Sequence, residues 1–182
     1  MTKVFLNPGH DQLELKGTSD YDPGAVNEEM GLYENEIAAA VGALVEKYLT
    51  EAGCNVKLLQ HESLRKIYET ANDWGADLFV SIHCNAFRDT GANGTEVLTY
   101  PDDEEGKKLA ACIQEQIIDT FDTVDRGVKL TNRLAVLNGT KMPAVLVEMA
   151  FISNESDAVL LRDRQDDFAR AIARGVTDYL QG

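Results

Sequence analysis

The feature that most constrains the fold is a short apolar segment that ends in polar residues. Residues 77–85 begin as a nearly unbroken apolar run and stop at His83 and Asn85. The run is too short for an independent helix and is typical of a strand buried on both faces, as in a parallel sheet covered by helices. A histidine at the carboxyl end of such a strand lies where open α/β sheets hold their active sites.

Segments with strand and helix character alternate along the whole chain. Strands are predicted at 3–6, 55–59, 77–82, 94–100 (at a sheet edge), 134–137 and 144–148, and helices at 31–52, 63–74, 102–119 and 155–180, the last as one helix or a pair. Residues 11–30 are predicted to form a long loop of the kind that is usually functional. The alternation implies a single α/β domain over 1–182, with a mostly parallel, twisted sheet of about six strands and helices on both faces.

Composition and charge exclude several classes of function. The chain has 31 acidic and 17 basic residues and a formal net charge of −14, which argues against nucleic-acid binding and against unaided adhesion to an anionic polymer. No segment is long and apolar enough to span a membrane, and the first residues are typical of a strand, not of a signal peptide. The three cysteines are widely spaced and odd in number, so we expect reduced thiols.

Three predicted strands end at isolated polar residues. His10 follows the first strand, His83 follows the third, and Glu148 follows the apolar segment 144–147. Any one of them could be an ordinary structural polar residue. Because parallel strands bring their carboxyl ends to one edge of the sheet, the three together are predicted to converge on one site.

Glu34 is a fourth candidate and comes from the first predicted helix. At about 100° per residue, it lies within roughly 40° of the centre of the apolar stripe that runs from Ile37 to Tyr48. A carboxylate that faces the core costs several kcal/mol unless it is paired. The alternative is an exposed Glu34 that interacts only with the helix dipole.

Two histidines and a glutamate suit one zinc ion that keeps a fourth position open for water. Such an ion lowers the pKa of bound water to about 7 and polarises a carbonyl oxygen. The reaction then needs a general base that is not a ligand. Glu148 is the remaining candidate, and we expect its pKa to be raised because it is poorly hydrated.

Four motifs in the chain are recognisable as a set. They are Asn7–His10, Gly31–Glu34, Ser81–Ala86 and Met142–Glu148. Together they closely resemble the zinc-dependent N-acetylmuramoyl-L-alanine amidases of the amidase 3 type, in order over almost the whole chain. The resemblance implies that His10, Glu34 and His83 are the zinc ligands and that Glu148 is the catalytic glutamate.

The resemblance also implies a substrate, the amide that joins the lactyl group of N-acetylmuramic acid to L-alanine in peptidoglycan. Glu148 would take a proton from zinc-bound water and pass it to the departing alanine nitrogen. The implied protein is a monomeric cell-wall-degrading enzyme, an autolysin or endolysin, that acts at the bacterial wall or outside the cell. An excised catalytic domain whose wall-binding domain lies outside this sequence, a phage lysin and an enzyme released by lysis all fit.

The sequence departs from the family pattern in the first turn. Asn7 and Asp11 stand where Asp and Gly are usual. Asp11 is either an added partner that orients His10 or a solvated loop carboxylate. Ile67 and Asn138 stand where Arg is common, which leaves the stem-peptide preference open.

Asn85 and Arg126 are the candidate substrate contacts. Asn85 either hydrogen-bonds substrate or caps the turn at the strand end. Arg126 either contacts the anionic stem peptide or is an exposed or salt-bridged arginine. His61 has no partner motif and is expected at the surface, whereas Cys84 points away from its neighbour His83 and is expected in the core.

Two other functions are compatible with these residues. A zinc carboxypeptidase would shorten the stem peptide and leave the lactyl–alanine amide intact. A wall-binding module that has lost catalysis would lack a ligand or the glutamate, and all four positions are filled here.

Overall fold

A computed structural model describes residues 1–11, 21–61 and 63–182. Strands and helices alternate along these residues, as the sequence predicts. The strands are β1 (Lys3–Pro8), β2 (Val26–Asn27), β3 (Leu32–Tyr33), β4 (Asn55–Leu58), β5 (Leu78–Asn85), β6 (Thr95–Thr99), β7 (Asp125–Leu130) and β8 (Ala144–Phe151). The helices are α1 (Glu34–Glu51), α2 (Leu64–Trp74), α3 (Glu104–Thr120), α4 (Ala135–Gly139), α5 (Glu155–Asp163) and α6 (Gln165–Gln181).

Six of the strands form one sheet in the order β4-β1-β5-β8-β6-β7. The first four run parallel to one another. β6 is antiparallel to β8, and β7 is parallel to β6. The mostly parallel α/β fold is therefore confirmed. At one edge, which we call the site edge, the carboxyl ends of the parallel strands (Pro8, Asn85, Phe151) meet the amino ends of β6 and β7 (Thr95, Asp125).

Helices cover both faces of the sheet. One core cluster joins one face to α1, α3 and α6, and a second joins the other face to α2 and α4. Alternate residues of β5 belong to opposite clusters, with Val80 in the first and Phe79 in the second, as expected for a strand buried on both faces. By the same alternation, Ser81, His83 and Asn85 lie on the face of α2 and α4.

The sequence-based prediction is wrong at two strands. Residues 134–137 do not form a strand: the N–H groups of Leu137 and Asn138 donate to the carbonyl of Leu134, and a short helix, α4, follows. A short apolar run does not distinguish a strand from a buried helix. The strand predicted at 94–100 exists as β6 but lies inside the sheet. The strand at this end of the sheet is β7. The sequence does not predict β7 because its residues are only partly buried and form no apolar run.

Other differences concern the ends of elements. The first helix begins at Glu34, because the two residues before it pair with β2 in a short hairpin. β8 continues three residues beyond Glu148, to Phe151. The closing segment is a pair of helices that are separated at Arg164. The predicted loop 11–30 lies partly outside the described residues. Among the described residues, no helix has the length and apolar character to cross a membrane.

Candidate metal centre

His10 reaches the site edge through a sharp turn after β1. The residue has φ of 62°, in the left-handed region that histidine enters more readily than most side chains. The preceding Gly9 passes close to the ring of His83, and a Cβ at this position would lie 2.3 Å from His83 Cε1. Glycine at position 9 therefore lets the turn deliver His10 beside His83, with the ring centroids 5.3 Å apart.

Glu34 opens α1 and lies between the two histidines. Its Oε2 is 3.1 Å from His10 Nε2, and its Oε1 is 2.9 Å from His83 Nδ1. The carboxylate also accepts the backbone N–H groups of Ala25, over 2.8 Å, and Cys84, over 3.0 Å. Glu34 is 4% exposed. The prediction that it faces inward is confirmed, and the alternative of an exposed glutamate is wrong.

Burial and hydrogen bonds decide the protonation of this cluster. Burial alone would raise the pKa of Glu34, but the hydrogen bonds and charges of His10 and His83 outweigh it and hold the pKa well below its usual range. For His10, burial acts to lower the pKa, but Glu34 and Asp22 outweigh this effect and raise the pKa to about 9. In the metal-free protein a protonated His10 therefore pairs with an ionised Glu34.

A carboxylate orients His10 through its other ring nitrogen. His10 Nδ1 lies 3.0 Å from Asp22 Oδ2, and the N–H of Asp22 donates to Asp11 Oδ2 over 2.7 Å. Asp11 is 3% exposed, so it is a buried partner of Asp22 and not a solvated loop carboxylate. The contact with Asp22 leaves His10 Nε2 as the ring nitrogen that faces Glu34.

A relay of hydrogen bonds from β1 orients His83. His83 Nε2 lies 3.1 Å from Ser81 Oγ, and Ser81 donates to Asn7 Oδ1 over 2.9 Å. The amide of Asn7 is fixed in turn because its Nδ2 donates to two backbone carbonyl groups. Because Ser81 gives its O–H to Asn7, it can accept Nε2–H of His83, which leaves Nδ1 as the ring nitrogen that faces Glu34. Asn7 therefore orients His83, not His10.

The three side chains fit a divalent metal ion. One potential ligand atom from each of His10, Glu34 and His83 lies within 4.8 Å of the other two. Two imidazole nitrogens and a carboxylate oxygen suit zinc and neighbouring transition metals. Protein groups engage the second nitrogen of both histidines, as is usual for metal-bound histidines. The predicted convergence of these three residues is present in the structure.

Glu148 lies beside this cluster on β8. It is the register partner of His83 in the parallel β5–β8 ladder. Its Oε2 is buried and has no hydrogen-bond partner among the described residues. Burial, with added repulsion from Glu34 and Glu96 and against the opposing effect of His83, raises the pKa of Glu148 to about 7. A carboxyl group with this pKa can accept and release a proton near neutral pH.

A polar network continues the site edge across β5, β6 and β7. Asn85 Nδ2 donates to Glu96 Oε1 over 3.0 Å, and Arg126 Nε donates to Glu96 Oε2 over 2.8 Å. The guanidinium carbon of Arg126 lies 4.9 Å from the centre of the Phe151 ring. Glu96 is also directly opposite Glu148 in the antiparallel β6–β8 ladder. Arg126 is therefore a salt-bridged arginine, and its carboxylate partner joins it to Asn85.

The cluster of His10, Glu34 and His83 opens into a cleft of about 300 Å³. The apolar part of its lining comes from α2, from the segment that leads into α4 and from β8: Leu64, Ile67, Leu134, Ala135, Val136 and Leu146. His61 also lines this cleft, where it is partly exposed, as expected for a surface residue, and its Nδ1 accepts the N–H of Ser63. Cys84 is buried in the core, as expected.

Three residues at the site do not stand out in the sequence. Ser81 precedes His83 by two positions in a strand, so a same-face rule would have found it. Asp22 lies in a long loop before Pro23, and no spacing rule connects it to His10. Glu96 becomes visible only when β6 is known to pair with β8 in the antiparallel direction.

The fold and the site together define the class of α/β proteins that hold their catalytic groups at the carboxyl ends of parallel strands. Comparison with known proteins then identifies the family, since residues 4–178 match the model described as N-acetylmuramoyl-L-alanine amidase. This chain belongs to that family, of the amidase 3 type.

Two relatives from Bacillus subtilis support the assignment. The chain is 35% identical over 188 residues to the sporulation-specific N-acetylmuramoyl-L-alanine amidase, a match that covers 100% of this chain and 68% of that protein. It is 37% identical over 186 residues to the N-acetylmuramoyl-L-alanine amidase LytC, covering 97% of this chain and 35% of LytC. The chain thus spans about a third of the length of LytC.

Solved structures agree with the fold. The N-acetylmuramoyl-L-alanine amidase AmiC2 of Nostoc punctiforme superposes with a TM-score of 0.88 at 31% identity, covering 100% of this chain and 98% of that one. The catalytic domain of the amidase CwlV from Bacillus (Paenibacillus) polymyxa var. colistinus gives 0.87 at 29% identity, covering 100% and 99%. The predicted α/β architecture is therefore that of known amidase domains.

Proposed function

We propose that this chain hydrolyses the amide bond between N-acetylmuramic acid and L-alanine in peptidoglycan, with one zinc ion as cofactor. The observation that carries the proposal is the convergence of His10, Glu34 and His83 beside the buried, unpartnered Oε2 of Glu148. The substrate follows from the family and from two relatives that are named N-acetylmuramoyl-L-alanine amidases.

His10 Nε2, His83 Nδ1 and a carboxylate oxygen of Glu34 are the groups that would hold zinc. When bound, the ion supplies positive charge that polarises the substrate carbonyl and lowers the pKa of water. Two backbone N–H groups hold the Glu34 carboxylate, and Asp22 and Ser81 orient the two imidazoles. The ligands are thus preorganised by their hydrogen bonds.

Glu148 is the general base and then the general acid of the proposed reaction. Its Oε2 accepts no hydrogen bond from the residues that the structure describes, so it can accept a proton from the attacking water. Its pKa of about 7 then allows it to give this proton to the alanine nitrogen. The nitrogen needs the proton, because an amine leaves far more readily than an amide anion.

Asn85 and Arg126 are proposed to contact the stem peptide where it leaves the cleft. The proposed place of action is the bacterial cell wall. A further relative, from Staphylococcus epidermidis, is named a probable cell wall amidase and is 29% identical over 180 residues, covering 97% of this chain and 57% of that protein. We also propose that residues 1–182 act as one catalytic domain and as a monomer, which light scattering of the purified protein tests directly.

Product analysis of purified muropeptides tests the proposed reaction. Zinc-loaded protein is expected to release the intact stem peptide with L-alanine as its new amino terminus, and chelation should stop release until zinc is restored. Glu148→Gln keeps the shape of the side chain but not the base, so it should bind zinc and cleave nothing. Glu69→Gln on the exposed face of α2 is the matched control and should retain activity.

Two outcomes would contradict this function. If the stem peptide shortens from its carboxyl end while the lactyl–alanine amide survives, the enzyme is a carboxypeptidase. If Glu148→Gln cleaves as fast as the wild type, Glu148 is not the proton carrier and the proposed mechanism is wrong.

The net charge of −14 predicts weak attachment to an anionic wall. Fusion to a wall-binding module is therefore expected to increase the lysis of whole walls and to leave cleavage of soluble muropeptides unchanged. A turbidity assay measures the first effect and chromatography the second. Equal lysis by the fused and unfused proteins would count against weak attachment.

A further inference from the structure

Glu96 joins three strands at the site edge, and the mechanism above uses it only as a charge near Glu148. Its two carboxylate oxygens accept Asn85 Nδ2 on β5 and Arg126 Nε on β7. The side chain of Glu96 is 13% exposed. A carboxylate this buried is stable only when donors satisfy it, so the Glu96 carboxylate and its two donors hold one another in place.

Arg126 is held in an orientation that leaves one side of its guanidinium group available. Its Nε is bound to Glu96, and its guanidinium carbon lies 4.9 Å from the centre of the Phe151 ring. The two Nη groups make no hydrogen bond to the described residues, and the side chain is 35% exposed. Two parallel N–H groups on a fixed guanidinium match the two oxygens of a carboxylate.

We call the pair of available N–H groups on the Arg126 guanidinium the Arg126 fork. The sheet determines how far this fork lies from the reacting bond. Glu96 is directly opposite Glu148, and Gly127, the residue after Arg126, is the register partner of Glu96. Neighbouring strands are about 4.8 Å apart, so two steps across the sheet place the backbone of Gly127, next to Arg126, about 10 Å from that of Glu148. An extended peptide covers that distance in about three residues.

Local charge makes the fork necessary for an anionic substrate. The carboxylates of Glu34, Glu96 and Glu148 lie on the same edge of the sheet, in a chain with a net charge of −14. Away from the proposed zinc ion, an approaching carboxylate would be repelled by these groups unless a cation met it. Arg126 supplies that cation, and its hydrogen bond to Glu96 holds the guanidinium group in place at the site edge.

We propose that Glu96 is a positioning residue: it holds the Arg126 fork so that the enzyme prefers stem peptides with a free carboxylate within about three residues of the cleaved bond. This inference rests on the proposed amidase function. It defines the class of substrate more narrowly, as an acidic rather than an amidated stem. It also gives Glu96 a role in recognition in addition to its effect on Glu148.

A matched pair of soluble muropeptides tests the inference. The two differ only at the residue after L-alanine, which carries a carboxylate in one and a carboxamide in the other. The wild type is expected to show a lower KM for the carboxylate form. Glu96→Gln removes the charge that holds the arginine, and Arg126→Lys keeps the charge but removes the fork. Each variant should reduce the preference for the carboxylate substrate, as a ratio of kcat/KM values, by roughly tenfold, mainly through KM.

Glu69→Gln is the control for the loss of an ion-paired glutamate. Glu69 pairs with Arg65 over 2.7 Å on the surface of α2. This variant should leave both the preference and kcat unchanged. Thermal melting confirms that each variant folds, and Glu96→Asp, which keeps the charge on a shorter side chain, replaces Glu96→Gln if that variant does not fold.

The outcomes separate this inference from the proposed function. If the wild type cleaves both substrates with the same KM, the amidase function stands and the carboxylate preference is wrong. If Glu96→Gln lowers kcat equally for both substrates and leaves the preference between them unchanged, Glu96 acts on the reaction and not on Arg126. If zinc-loaded wild type cleaves neither substrate, the proposed function is wrong, and this inference with it.

Discussion

Binding of zinc to the cluster of His10, Glu34 and His83 is expected to release a proton at neutral pH. In the metal-free protein, burial acts to lower the pKa of His10, but Glu34 and Asp22 outweigh it and raise the pKa to about 9. A histidine must be neutral to bind a metal ion. The proton on His10 therefore competes with zinc.

The size of this competition follows from the pKa. At pH 7, two units below the pKa, the protonated form exceeds the neutral form about 100-fold, which corresponds to about 2.7 kcal/mol. The apparent dissociation constant for zinc is thus expected to fall about 50-fold between pH 7 and 9, nearly tenfold of this in the first pH unit, and to change little above pH 9.

The same pKa predicts a change in the stability of the metal-free protein. Because the folded pKa of His10 lies above its usual value of 6.5, the ion pair stabilises the fold at lower pH and this contribution is lost as the pH rises through 9. Between pH 7 and 9 the free energy of unfolding should decrease by at most about 2.2 kcal/mol, because His10 is still half protonated at pH 9. Glu148, whose pKa is about 7, and the cysteine thiols, whose pKa is raised by burial, also titrate in this window, so the contribution of His10 is measured by comparison with a variant that lacks the Asp22 carboxylate.

Competition with a chelator of known affinity, measured from pH 7 to 9, gives the apparent zinc affinity, and denaturant unfolding of the metal-free protein gives the stability. Asp22→Asn removes one of the two carboxylates that raise the pKa of His10. In this variant the zinc affinity should level off at a lower pH than in the wild type. A water ligand of zinc titrates in both proteins, so the difference between them isolates His10. Flat affinity and flat stability across this window would refute the reasoning.

Three further predictions concern single positions. The value of kcat/KM should fall on the acid side as Glu148 becomes protonated, with an apparent pKa between 4.5 and about 7 because the charge of zinc lowers it. Gly24→Ala should weaken zinc binding about 100-fold in a chelator competition, because the added Cβ would lie 2.5 Å from the His10 ring. Gly31→Ala is the control: Gly31 has a similar φ but open space around it, so zinc affinity should not change. Asp157→Asn should lower the free energy of unfolding by about 2 kcal/mol, because one buried oxygen accepts two backbone N–H groups.

Each of these predictions has a contradicting result. A pH–rate profile that stays flat down to pH 4 would exclude Glu148 as the base. Equal zinc affinities for Gly24→Ala and Gly31→Ala would show that the loop around Gly24 relaxes freely. An unfolding curve for Asp157→Asn that matches that of the exposed control Asp163→Asn would show that the buried acceptor contributes little.

The core of the site can be predicted from sequence because it obeys two simple periodicities. A buried strand alternates every two residues and ends where polar residues begin, which identifies His83 and Glu148. A helix turns about 100° per residue, which places Glu34 on the buried side. Both rules are local, so they need no knowledge of how the strands are ordered.

The rest of the site depends on pairings that the sequence does not encode locally. Glu96 and Arg126 lie near the beginnings of β6 and β7, and these positions reach the site edge only because β6 runs against β8. The direction of a strand is set by its neighbours and not by its own residues. Asp22 reaches His10 through a loop, where no periodicity applies. The prediction of a strand in place of the short helix α4 is wrong for a related reason, because a short apolar run is compatible with either element.

The sheet places β5 and β8 side by side, although residues 86–143 separate them in the chain. This connecting segment contains Glu96 and Arg126, whereas the three proposed metal ligands and Glu148 lie outside it. Under the proposed roles, cleavage of the amide depends on residues outside this segment, and recognition of the stem depends on two residues inside it together with Asn85 at its boundary. Exchange of residues 86–143 between relatives would change which walls are cut and leave the metal centre intact, which gives both evolution and protein engineering a natural unit of recombination.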